Sequence, residues 1–277
     1  MWKQKISISL GNRYKEKTAA LIPVVKKAGF DGVSPEWEKG DDLCAIVDAA
    51  KREGLALVSL HAPYGGAADL WSEDESVARP VLDELLLSLS DAHKYGFPLL
   101  VLHVWIGFGE EPAPTDAGLA RLSLLAARAK ELGVRLAFEN TEGEEYLEYL
   151  LKHFASSDYA GFCIDTGHEM CYNAKRDLIT KYASKLCCTH LNDNMGQTGE
   201  KITWYDDSHM LPFDGVADWE GIAARLKAAG YKGDLTFELN SKNKPERDTH
   251  RIYAGLDFEQ YVALAFERAK KFKELML

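Results

Sequence analysis

The chain has 277 residues, 46% hydrophobic, 27% charged and 10% aromatic, which excludes the disordered and fibrous classes. Lys and Arg number 33 against 43 Asp and Glu, a formal net charge of −10 that is a poor start for wrapping a polyanion. Five cysteines (Cys44, Cys163, Cys171, Cys187, Cys188) make an odd count without a CxxC spacing, so neither a disulfide framework nor a thiolate zinc site is expected.

The first residues carry no signal-peptide pattern, and Ile6, Ile8 and Leu10 alternate as a strand does. Strands are predicted at 5–10, 31–34, 56–61, 99–105, 135–140, 161–165, 186–192 and 234–240. Helical patterns fall between them at roughly 16–29, 41–53, 76–95, 115–132, 143–155, 170–184, 218–229 and 255–276. Gly29, Gly54, Gly96, Gly133 and Gly230 stand where helices should stop, because glycine takes the left-handed conformation of a helix end at little cost. Within the seventh strand, neighbours Cys187 and Cys188 should point to opposite faces. The most apolar run, 98–108, is about half a membrane span and contains His103. A cytoplasmic protein with reduced thiols and no membrane segment is expected.

Eight strand-then-helix units of about 35 residues each imply parallel pairing with right-handed crossovers. The expected fold is α/β, a single (β/α)₈ TIM barrel over residues 1–277. No GxGxxG follows the first strand and there is no P-loop, which counts against a doubly wound nucleotide-binding sheet. Residues 193–217 are long for a connection and read as an inserted functional loop.

In such a barrel chemistry sits at the C-terminal ends of the strands. His61, His103, Glu139, Asp165 with His168, His190 and Glu238 fall there, and the long loop adds Asp207 and His209. Glu139 and Glu238 interrupt apolar strands. A buried unpaired carboxylate costs several kcal/mol, roughly, and so needs a cation or a partner. Arg135 is the nearby candidate for an ordinary salt bridge to Glu139. Together Glu139, Asp165, His190 and Glu238 form a mixed N/O donor set suited to a divalent ion, Zn²⁺, Mn²⁺, Co²⁺ or Mg²⁺.

The segments KKAGFDGV, LHAPYG, AFENT, CIDTGH, THLNDN, DDSHMLPFDGVADW and GYKGDLTFEL carry a resemblance over essentially the whole chain. The sequence resembles the xylose isomerase-like TIM-barrel superfamily, specifically its sugar phosphate isomerase/epimerase group. The resemblance implies a divalent metal held by Glu139, Asp165, His190 and Glu238, with both glutamates also moving protons. In the mechanism expected here His168 and Asn192 orient substrate hydroxyls. The activity implied is isomerisation or epimerisation of a sugar, sugar phosphate or polyol by proton abstraction next to a carbonyl. An inosose-type dehydratase shares the first step.

Endonuclease IV, a three-zinc DNA repair enzyme, belongs to the same superfamily. Its ligand pattern is matched by His61, His103, Glu139, Asp165, His168, His190, Asp207, His209 and Glu238. The alternative function is therefore zinc phosphodiester cleavage at abasic DNA. Met195-Gly196 stand where sugar epimerases often have an Arg that grips hydroxyls, which counts against ketose 3-epimerase activity. Phe213-Asp214-Gly215 replaces a small glycine-rich turn.

Charge favours the sugar. A nuclease needs cations on its loops, yet the loop after the third strand has Asp69, Glu73, Asp74 and Glu75, and the next has Glu110, Glu111 and Asp116. Only the last loop is basic, with Lys242, Lys244 and Arg247. Trp37, Tyr64, Trp71, Trp105, Phe108 and Trp204 share this rim and could stack on a sugar or simply pack loops. The expected partner is a small carbohydrate, not nucleic acid or membrane, and the chain could form a homo-oligomer.

Overall fold

The computed structural model describes residues 4–11, 14, 16–108, 113–174, 176–201 and 203–277. Its strands are β1 (Ile6–Leu10), β2 (Gly32–Pro35), β3 (Ala56–Leu57), β4 (Leu60–His61), β5 (Leu99–His103), β6 (Arg135–Glu139), β7 (Ala160–Asp165), β8 (Leu186–His190) and β9 (Leu235–Phe237). The α-helices are α1 (Thr18–Ala28), α2 (Leu43–Glu53), α3 (Glu75–Tyr95), α4 (Asp116–Leu132), α5 (Glu144–His153), α6 (Thr166–Cys171), α7 (Leu178–Lys181), α8 (Trp219–Ala228) and α9 (Phe258–Met276).

All strand pairs between these segments are parallel, in the orders β3-β2-β1-β9 and β4-β5-β6-β7-β8. The predicted strand 56–61 is broken into β3 and β4, one pairing with each sheet. Parallel bridges Glu36↔His61 and Leu191↔Phe237 join the sheets at both edges, so the strands close into the expected barrel. The helices pack their apolar stripes on the outside, with Leu21, Ile22 and Val25 of α1 and Val262, Ala265 and Phe272 of α9 fully or almost fully buried. Gly29, Gly54, Gly96 and Gly133 cap α1 to α4 at φ between 67° and 115°, as their positions in the sequence require. No helix among the described residues is long and apolar enough to cross a membrane.

Two local expectations are corrected. The pattern at 170–184 is not one helix. Asp165 caps α6 directly after β7, its Oδ1 accepting the His168 N–H at 2.7 Å, and Asp177 caps the separate α7. Between them Asn173 is buried and bonded to Asn140 and to the Thr141 carbonyl, which fixes the chain in a turn. Nor do Cys187 and Cys188 face opposite ways. After a register shift at Phe162/Cys163, Cys188 lies in the interior group with Val101, Ala137 and Cys163, and Cys187 packs half-buried against the same group.

Candidate metal centre and cavity

The C-terminal ends of β4 to β9 bring the sequence-predicted donors to one mouth. Glu139 Oε1 lies 2.9 Å from His190 Nδ1, and its Oε2 lies 3.2 Å from His61 Nε2 and 3.4 Å from His103 Nε2. Glu238 Oε2 reaches the same His190 nitrogen at 2.8 Å. Donor atoms of Glu139, Asp165, His190 and Glu238 all fall within 4.8 Å of one another. Three further sets adjoin them: His61 with His103 and Glu139, Asp165 with His168 and His209, and, against the expectation that no thiolate set would form, Cys163 with Cys188 and His190. Asp207 joins the second flank, Oδ2 lying 2.8 Å from His209 Nε2 and 3.4 Å from His168 Nε2.

The imidazoles are oriented by the backbone. Nδ1 of His61 meets the Ala62 carbonyl at 2.8 Å, that of His168 the Asn140 carbonyl at 2.8 Å, and that of His209 the Glu238 carbonyl at 3.0 Å. A carbonyl can only accept, so each Nδ1 carries its proton, and in the neutral ring each Nε2 presents a lone pair. Those lone pairs face carboxylate oxygens. Acceptor facing acceptor needs a cation between them, either a proton or a metal ion, and backbone-oriented histidines are the usual supports of metal ligands.

With protons as the only cations the electrostatics are severe. Burial alone would lower the His168 pKa, yet the Asp165 and Asp207 carboxylates hold it well above its usual value. Burial likewise opposes protonation of His190, and Glu139 and Glu238 outweigh it. Burial would raise Glu139, and His190 and His103 hold it well below the usual carboxylate range. Asp165 goes the other way, pushed up by burial to about 6. Among the described residues neither Glu139 nor Asp165 pairs with Lys or Arg. Arg135 lies instead where a side chain on Gly161 would stand, beside Cys187. The donor chemistry, the facing lone pairs and the orphaned buried Asp207 Oδ1 fit a divalent metal centre.

A cavity of about 690 Å³ opens over the centre. His61, His103, His168, Asp207, His209 and Glu238 line it, whereas Glu139, Asp165 and His190 lie below its wall. Asn192 does not reach it either. It is fully buried and donates through Nδ2 to Asp165 Oδ2 at 2.8 Å, so it positions the carboxylate. The rim aromatics divide. Tyr64, Phe108 and Trp204 are exposed and line the cavity, while Trp37, Trp71 and Trp105 are buried and pack loops. The long loop pairs antiparallel with itself at Asp193↔Met210 and delivers Asp207 and His209, the latter at φ 53°. Asp74 caps α3 and Glu75 pairs with Arg121 at 2.7 Å, so part of the acidic rim serves helix ends. Glu110 and Glu111 lie outside the described residues. The lining residues that sequence reasoning did not single out include Glu36, Glu38, Tyr172, whose ring tilts over His168 at 5.0 Å, and the buried Glu142, whereas Lys244, 3.7 Å from Asp207, comes from the basic last loop.

The model of the xylose isomerase-like TIM barrel family matches residues 22–258. The uncharacterized protein y4fM of Sinorhizobium fredii is 32% identical over 205 residues, 67% of this chain and 63% of its own length, so the match spans less than two thirds of that relative. Among solved structures, D-allulose 3-epimerase from Methylomonas sp. is similar at a TM-score of 0.73 and 18% identity, covering 100% of this chain and 99% of its own. L-ribulose 3-epimerase gives 0.70 and 19%, covering 98% and 97%. At these identities the likeness to the two epimerases is one of fold.

Proposed function

The chain belongs to the xylose isomerase-like TIM barrel family, and from that premise we propose that it is a metal-dependent isomerase or epimerase of a small carbohydrate or related polyol. One observation carries the reading: a carboxylate and imidazole cluster of facing acceptors lies directly beneath an aromatic-walled cavity. At about 690 Å³ that cavity is within the roughly 300–1,000 Å³ of small-molecule sites. The names of the similar epimerases agree with it.

Glu139, Asp165, His190 and Glu238 would hold the ion. Bound there, a divalent metal supplies positive charge that polarises a carbonyl and steadies the negative charge developing on its oxygen. Asn192 fixes Asp165, and backbone carbonyls fix His61, His168 and His209. Glu238, on the cavity wall, takes the proton from the carbon beside the carbonyl. His168, also on the wall, holds a substrate hydroxyl. Tyr64, Phe108, Tyr172 and Trp204 offer ring faces to the apolar side of a sugar and exclude water.

A second reading, multinuclear phosphodiester cleavage, has one observation in its favour: the two flanking donor sets. Against it stand the cavity's carboxylates Glu36, Glu38 and Glu142 with Lys244 as the one cation among its described lining residues. The test is incubation of the metal-loaded protein with a panel of ketoses and aldoses in D₂O. Deuterium entering the carbon beside the carbonyl is the expected result. EDTA-sensitive cleavage of abasic duplex DNA with no exchange into any sugar overturns the reading in favour of the second.

A further inference from the structure

Beneath the mouth the barrel interior holds a donor set of a different chemistry. Val101, Ala137, Cys163 and Cys188 each stand two residues before a donor of the mouth, namely His103, Glu139, Asp165 and His190. Alternation along a strand puts all four on the interior face, one step below those donors, and they pack as one buried group. Such interiors are filled mainly by bulky branched side chains. Here only Val101 is branched, and two of the four residues are thiols, Cys163 0% and Cys188 2% exposed.

The bulge in β8 brings those two thiols level. Phe162 pairs with Leu186, but the next residue of β7, Cys163, pairs with Cys188, so Cys187 is passed over. Without the extra residue Cys163 would pair with Cys187, and Asp165 with Thr189. One bulge thus aligns Cys163 with Cys188 and Asp165 with His190. The sulphurs of Cys163 and Cys188 and a ring nitrogen of His190 lie within 4.8 Å of one another. Three ligands on one ion, with metal–sulphur bonds of about 2.3 Å and metal–nitrogen bonds of about 2.0 Å, fit within that span.

We propose that Cys163, Cys188 and His190 form a separate site for a thiophilic divalent ion, Zn²⁺ or Cd²⁺, below the carboxylate centre. Sulphur donors select thiophilic ions, whereas the oxygen-rich set above also suits Mn²⁺ and Mg²⁺. On binding, each thiol gives its proton to water and its sulphur forms a bond to the metal, so two thiolates balance the two charges of the ion. His190 belongs to both donor sets. A neutral imidazole has one lone pair, so the two ions compete for it. Filling the sulphur site draws a ligand from the centre above, and a thiophilic ion thereby inhibits whatever reaction that centre supports. The sulphur site does not depend on the sugar reading.

The experiment uses chains in which Cys44, the exposed thiol, is replaced by Ser. The reduced, Mn²⁺-loaded protein is titrated with Cd²⁺, and again after refolding with Cd²⁺, because both sulphurs are buried. Thiolate-to-cadmium absorption in the ultraviolet and Mn²⁺ release by electron paramagnetic resonance are read together. The absorption is expected to saturate at about one Cd²⁺ per chain, with Mn²⁺ released in step. It should fall roughly tenfold or more in the Cys163→Ser, Cys188→Ser double variant and persist in Cys187→Ser. Absorption absent from the parent even after refolding, or unchanged in the double variant, overturns the proposal. Absorption that rises while Mn²⁺ stays bound removes His190 from the site and overturns it too. A parent that binds no Mn²⁺ fails the reading of the centre above, and the comparison with the double variant still decides the sulphur site. Should that variant not fold, the ¹¹³Cd resonance of the parent decides: a downfield, two-sulphur position sustains the proposal, and the upfield position of oxygen and nitrogen ligands overturns it.

Discussion

His190 Nδ1 is shared by two carboxylates, Glu139 Oε1 at 2.9 Å and Glu238 Oε2 at 2.8 Å. The three residues come from β6, β8 and the end of β9, so one imidazole ties together strands that are not all neighbours. A single ring nitrogen can satisfy one such oxygen with a proton, and the second remains a charge in need of a cation. A divalent ion in that position satisfies both.

That sharing separates ligation from proton transfer. Glu238→Gln keeps the size and one coordinating oxygen but removes the base. It should retain metal with weakened affinity and lose turnover by roughly 10²–10⁴-fold. His190→Ala should fail by losing metal, with partial recovery in excess Mn²⁺. Metal content by elemental analysis, read beside deuterium exchange, distinguishes the two. Near-normal turnover in a metal-loaded Glu238→Gln would remove Glu238 from proton transfer.

Gly167 in α6 has no room for a side chain. A Cβ there would lie 2.0 Å from Asn192 Oδ1, the amide whose nitrogen holds Asp165 at 2.8 Å. Gly167→Ala must therefore push Asn192 aside without touching any donor. Metal affinity should fall by roughly 10–100-fold, the usual effect of losing a group that orients a ligand. Asn192→Ala should fall by a similar factor. Isothermal titration with Mn²⁺ measures both, and an unchanged affinity in Gly167→Ala would show that Asp165 does not depend on Asn192.

The barrel and most donors were legible because both follow from local patterns. Apolar runs of strand length, Gly29, Gly54, Gly96 and Gly133 at helix ends, and carboxylates or imidazoles closing apolar strands all mark position without tertiary knowledge. What stayed hidden depends on distant contacts. The break after α6 comes from Asn173 bonding back to residues 140 and 141. The bulge that turns Cys187 inward is a matter of pairing register. Glu142 is a site residue because Gly107, 35 positions earlier, donates to it, and nothing in the spacing ENTEG says so. Phe213 was read as a departure from a glycine-rich turn. It adopts φ 72°, the region glycine favours, and its ring packs on Trp219 at 5.4 Å.

His250 gives a pH signature of folding. Burial, with the His209 and Lys244 charges beside it, pushes its pKa down to about 4 from an ordinary 6.5. A depressed histidine is neutral in the fold and takes up its proton first in the unfolded chain. Stability should thus fall as pH drops from about 6.5 to about 4 and change no further below that on its account. Replacing it by Gln removes this slope. The difference in unfolding free energy between parent and His250→Gln, measured by urea titration, should shift against the parent across that window. A difference constant from pH 7 to pH 4 would mean His250 titrates normally.

The donor sets flanking the centre make metal number a sharper question than metal presence. His61, His103 and Glu139 on one side, and Asp165, His168 and His209 on the other with Asp207 beside them, could each hold an ion. Multiple ions alone do not make a nuclease, because a nuclease must also hold phosphates, and each phosphate contact calls for a cation or a backbone donor. At the cavity Lys244 already leans on Asp207 at 3.7 Å, and Arg247 is committed to Asp206 at 3.0 Å. Glu36, Glu38 and Glu142 would face an approaching backbone. Protein reconstituted with Zn²⁺ or Mn²⁺ should therefore leave abasic duplex DNA uncut above a chelated control, whatever its stoichiometry. Cleavage that needs metal and disappears in both Glu139→Gln and His168→Ala would assign the flanking sets to phosphodiester chemistry and displace the sugar reading.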